Sequence, residues 1–131
     1  MMKVLNSGIV FALSIFCITN IVHAEQLSSE EITALFAGRT AECIKTKDNS
    51  TCDTFMNKQG DVKRHTHNDN KVRLGKWHAD DSDQLCIHWQ GKSKATCFTV
   101  MKNIDRTHNL NRKGKTKSII TGLSAGDTTG R

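Results

Sequence analysis

The sequence predicts a mainly β domain: a short N-terminal helix followed by an antiparallel β-meander or small barrel, stapled by disulfides. Three observations carry this reading. One segment near residue 30 has complete helix punctuation, seven short β-type runs follow it, and four cysteines lie within those runs or directly beside them.

The chain opens with a stretch that is not part of the domain. Lys3 gives a positive start, Ile9 to Ile18 form an apolar run of about ten residues, and Val22-His23-Ala24 ends in a small residue. This is the pattern of a cleavable secretory signal peptide over residues 1–24, with Glu25 as the first mature residue. The apolar run is shorter than the roughly 20 residues a membrane span needs. Cys17 is preceded by bulky Phe16, which does not suit lipidation, and is expected to leave with the leader. Residues 25–131 then form a single β-rich domain with no transmembrane segment. Removing the leader takes away one lysine and no acid, leaving 18 Lys and Arg against 13 Asp and Glu.

The helix is expected over Leu27 to Gly38. Ser28 caps its start, Glu31 completes a capping box, and Leu27 with Ile32 forms the hydrophobic staple. Gly38 supplies a left-handed exit. Ile32, Leu35 and Phe36 share one apolar face.

The β-type runs are Thr40–Lys45, Asp53–Met56, Asp61–His67, Lys71–Trp77, Gln84–Trp89, Thr96–Lys102 and a weaker Lys117–Thr121. Polar turn residues separate them, at a spacing of about 8–12 residues that suits a meander. The tail from about residue 122 is small and polar and is expected to fray.

An even count of four cysteines in an exported domain points to a disulfide framework. Side chains alternate along a strand, so Leu85, Ile87 and Trp89 share a face opposite Cys86. Phe98 and Val100 likewise share a face opposite Cys97. A hairpin centred between Gly91 and Lys92 places Cys86 across from Cys97, and by elimination Cys43 pairs with Cys52. The competing four-thiolate metal site lacks the close cysteine spacing of structural zinc modules.

Candidates for chemistry are few. His65 and His67 lie on one strand face and form a possible two-ligand start to a zinc or copper site. The third ligand would be His78, His88 or an aspartate brought in by the fold. The bland reading is a pair of solvated surface histidines. Asp80-Asp81-Ser82-Asp83 lacks the glycine and glutamate of a calcium loop and reads as a solvated turn. Trp77 and Trp89 read as core. Arg106, Arg112, Lys113, Lys115 and Lys117 form a late basic cluster able to attract anionic lipid or glycan. Nucleic acid is disfavoured by export and by the scarcity of stacking aromatics, since the chain has no tyrosine. No catalytic motif and no cofactor-binding motif is present.

Glu31-Ile32-x-x-Leu35-x-x-Gly38-Arg39-Thr40, Gly75-Lys76-Trp77, Leu85-Cys86-Ile87-x-Trp89 and Cys97-Phe98 together resemble a group of small exported proteobacterial domains of unknown function, the DUF995-like group. The resemblance runs from about Ser28 to Gly122 and implies a β-rich periplasmic protein with an N-terminal helix. The Cys43/Cys52 pair and the lack of tyrosine depart from that pattern.

The expectation is therefore a non-enzymatic, periplasmic or secreted binding module of the cell envelope, monomeric, with an envelope protein, glycan or lipid as partner. The alternatives are a lipocalin-like carrier of a small apolar ligand, and Zn or Cu capture through His65 and His67.

Overall fold

Helix α1 (Ser29–Phe36) starts where its caps require. In the computed structural model, which describes residues 25–129, the Glu31 N–H donates to Ser28 Oγ at 3.2 Å and the Ser28 N–H donates to Glu31 Oε1 at 2.8 Å. This reciprocal pair satisfies two of the donors that every helix start leaves open. Gly38, at φ +80°, turns the chain out of the helix, and its N–H donates to the Met56 carbonyl. The leader expected over residues 1–24 lies outside the described residues.

The described residues form nine strands: β1 (Glu25–Gln26), β2 (Arg39–Lys45), β3 (Thr51–Met56), β4 (Asp61–Thr66), β5 (Lys71–Ala79), β6 (Leu85–Trp89), β7 (Thr96–Lys102), β8 (His108–Arg112) and β9 (Lys115–Ala125). Strands β2 to β9 pair antiparallel with their sequence neighbours, and β2 with β9 closes an eight-stranded barrel. Short β1 adds to the edge of β7. All seven expected runs are strands. Strand β8 was not legible, because His108-Asn109-Leu110-Asn111-Arg112 has one apolar residue and two strand-averse asparagines. It forms because Leu110 and His108 fall on the inner face, where both are buried.

The register assigns the faces. Ala41, Thr54, Met56, Val62, Trp77, Ile87 and Leu85 all stand on the inward side of their ladders. Helix α1 closes one end and sinks Ile32 and Phe36 into this core, both fully buried. The interior holds these buried side chains, as expected of a small barrel. The Trp77 indole N–H donates to the Asn57 carbonyl at 2.9 Å, so the buried ring keeps its polar atom satisfied.

Both disulfides join directly opposed residues: Cys43 to Cys52 across β2–β3, and Cys86 to Cys97 across β6–β7. No helix among the described residues is long and apolar enough to cross a membrane.

The tail corrects an expectation. Strand β9 runs on to Ala125, where fraying was expected from about residue 122. Beyond it the fully buried Thr40 hydroxyl donates to the Gly126 carbonyl at 2.6 Å and accepts from the Thr128 N–H at 2.9 Å. Lys63 meets Asp127 at 2.7 Å. The tail is polar because it is tied by hydrogen bonds rather than by apolar packing.

Candidate functional site

The meander alternates its turns between two ends. The turns after β3, β5 and β7 lie at the helix end; those after β2, β4, β6 and β8 lie at the other, which no helix of the described residues covers. At this open end the inward positions change from apolar to cationic. Arg64 follows Val62 on the inner face of β4, and Arg73 stands opposite it on β5. Trp89 ends β6 on the same face, opposite Gly75. A Cβ at Gly75 would lie 2.5 Å from the His88 carbonyl oxygen, so only glycine permits this close approach.

Both guanidinium groups lie on the Trp89 indole, Arg64 at 4.8 Å and Arg73 at 4.3 Å from the ring centre. Such contacts are cation–π interactions that strengthen as water is removed. The Arg64 Nε–H also donates to Thr54 Oγ1 at 3.1 Å. Burial, with the adjacent Arg73 charge adding to it, pulls the Arg64 guanidinium down to about 10, so it stays cationic at neutral pH. Among the described residues neither arginine forms an ion pair with a carboxylate. The two open onto a pocket of about 460 Å³ that Lys92, Lys94 and Phe98 also line, with Ser93 and Thr96 as hydroxyls. Among the described residues, no Asp or Glu lines it.

A larger pocket, of about 870 Å³, lies at the helix end between α1 and the β7–β8 turn. There Glu25 and Glu31 offset Arg39, Lys102 and Arg106. Opposite charges compensate one another in that pocket, so it offers less to a charged ligand than the all-cationic one.

The late basic cluster is divided by the fold. Arg106 sits in the β7–β8 turn at the helix end, while Arg112, Lys113 and Lys115 form the β8–β9 hairpin at the open end. The open end thus collects positive charge from both halves of the chain. Trp89 is core on one side and a platform for two cations on the other, which sequence reading missed. Register alone could have found it, since Arg64, Arg73 and Trp89 all have the parity of core residues.

The acidic turn is more than solvated surface. Asp80 Oδ1 accepts the Ser82 and Gln84 N–H groups, and Asp83 Oδ1 accepts both the N–H and the hydroxyl of Ser29. The Ser29 hydroxyl also contacts the Asp80 carbonyl. The turn seats the first residue of α1, so Asp83 is spent on structure.

His65 and His67 do come together, with ring centres 5.3 Å apart. Asp53 is their third neighbour, directly opposite His65 across β3–β4. One donor atom from each of the three lies within 4.8 Å of the others. His78 pairs with Cys86 and His88 with Lys76 on the β5–β6 ladder, so neither joins this group. Asp80 likewise lies beside Cys86 and Cys97, but those sulfurs are consumed in a disulfide.

No family model, no curated protein and no solved structure matches this chain.

Proposed function

We propose that the protein is a non-enzymatic, periplasmic or secreted binding module of the cell envelope whose open barrel end holds an anionic group of its partner, an acidic glycan or a lipid headgroup. The observation that carries this reading is the Arg64–Arg73 pair on Trp89, with Lys92 and Lys94 beside it and no acid in the pocket. Two like charges directly opposed on a sheet repel each other. An arriving anion relieves that repulsion while it gains charge-assisted hydrogen bonds from preorganised guanidinium forks. Four cations in one small pocket favour a ligand with more than one negative charge, such as a phosphate monoester or a sulfated sugar. The signal-peptide pattern of residues 1–24, the two disulfides and the resemblance to exported β-rich domains all support an envelope setting. The packed interior favours this mouth over an internal site for an apolar ligand.

The test is binding of the mature domain to vesicles with and without anionic lipid, and to sulfated against neutral oligosaccharides. Binding is expected to need the anionic group, to fall with added salt, and to drop at least tenfold in Arg73→Gln. Equal binding to neutral counterparts, or an unchanged Arg73→Gln, would refute the reading.

A further inference from the structure

We infer that Asp53, His65 and His67 form a binding site for a borderline divalent cation of the Zn²⁺ or Cu²⁺ class, on the outer wall of the barrel and independent of the cationic mouth. Three features of the fold set up the donors. Asp53 and His65 are opposed across the β3–β4 ladder and both project outward. His67 lies one residue beyond β4, yet its N–H still donates to the Thr51 carbonyl, which holds it in register with His65. The neighbouring Cys52 is bridged to Cys43, so the backbone that carries Asp53 is anchored.

The hydrogen bonds define which nitrogens are available. The Asn70 Oδ1 is an acceptor and lies 2.6 Å from His65 Nε2, so Nε2 carries the proton and Nδ1 keeps a bare lone pair. That Nδ1 is buried and has no hydrogen-bond partner among the described residues. On His67, Nδ1 lies 2.6 Å from the Thr51 hydroxyl and Nε2 lies 2.9 Å from Asp53 Oδ2. In the ion-free protein Nε2–H donates to the carboxylate; a cation can take the place of that proton, with the Thr51 hydroxyl then accepting from Nδ1–H.

Asn70 and Thr51 thereby act as the outer partners that metal-binding histidines use to fix ring orientation. The donors span 2.9 Å to at most 4.8 Å, against about 3.3 Å between ligands round a tetrahedral zinc ion. Rotations of two partly exposed imidazoles close that difference. Glu42, opposite Asp53 on β2, adds negative charge to the same face.

Two imidazoles and one carboxylate suit Zn²⁺ and Cu²⁺, whereas Ca²⁺ and Mg²⁺ prefer all-oxygen sites. Three protein ligands leave a further coordination position open, which suits capture and release of the ion more than a closed structural site.

The test is calorimetric titration of the tag-free mature domain, freed of metal with a chelator, using Zn²⁺ and separately Ca²⁺. One Zn²⁺ per chain is expected, with no Ca²⁺ taken up. His65→Ala and His67→Ala are each expected to abolish uptake, and Asn70→Ala to weaken it about tenfold. His78→Ala and His88→Ala are expected to leave it unchanged. Circular dichroism of every variant without metal separates loss of the site from loss of the fold. Nitrogen-15 NMR supplies a second readout: Zn²⁺ should shift Nδ1 of His65 and Nε2 of His67. No Zn²⁺ uptake, uptake unchanged in the His65→Ala/His67→Ala double variant, or shifts centred on His78 or His88 would each overturn the assignment.

Discussion

Arg64 and Arg73 stand directly opposite each other across β4 and β5 and lay their guanidinium groups on the same indole, that of Trp89. Cross-strand like charges are unfavourable in an isolated sheet. Here the ring's negative face partly offsets the repulsion.

A stabilisation experiment follows from that pair. An anion that binds only the folded state raises its stability by mass action. Added sulfate should therefore raise the melting temperature of the native protein more than that of Arg64→Gln or Arg73→Gln. General salting effects of sulfate act on all three proteins alike, so the difference between them is the measurement. Equal increments would count against the site.

The two disulfides close loops of similar size, with sequence separations of 9 and 11. Replacing either pair by serine should cost roughly 2–3 kcal/mol through the freed unfolded chain. Urea denaturation checks this. Losing the Cys43–Cys52 bridge should in addition loosen β3 and weaken Zn²⁺ uptake, whereas losing Cys86–Cys97 should spare uptake.

His108 gives a pH dependence with a definite sign. Its side chain is buried and its Nδ1 has no partner among the described residues. Burial, with Lys102 adding to it, holds its pKa below the usual 6.5. The unfolded chain therefore takes up this proton before the folded chain does, and stability must fall as pH drops through about 6.5. Denaturation at pH 8 and at pH 5.5 should show the loss, and His108→Gln should reduce it. An equal loss in the variant would place the effect elsewhere.

Thr40 holds the tail by a hydroxyl that both donates and accepts. Thr40→Val keeps the shape but leaves the Gly126 carbonyl and Thr128 N–H without that partner, at a cost of about 1–3 kcal/mol. Hydrogen exchange should speed up at residues 126–129 and stay slow in α1. Unchanged exchange there would mean that the Lys63–Asp127 pair holds the tail unaided. Asp127 is itself distinctive: burial pushes its carboxyl up, but Lys63 and Thr129 outweigh this and hold it at about 2.

Much of the architecture was legible because local rules and the global fold agree. Ser28, Glu31 and Gly38 punctuate one helix, and each did what its side chain or its lack of one permits. Alternation placed Leu85, Ile87 and Trp89 inside and fixed the hairpin that joins Cys86 to Cys97. The failures share one cause. Strand β8 and the tail are polar segments whose order comes from the groups they pair with and not from an apolar pattern of their own, β7 and β9 for β8 and Thr40 for the tail.

The same division separates fold from site. The residues by themselves determined a helix, a β-meander and its cross-links, because caps, alternation and turns act over a few positions. The sequence also singled out His65 and His67, which share a strand face at a spacing of two. Only the tertiary structure decided that Asp53 completes their cluster and that Arg64, Arg73 and Trp89 meet at an open barrel end. Those encounters depend on strand register and barrel closure. Closure sets which residues from distant segments share a face, and no short window of sequence contains that information.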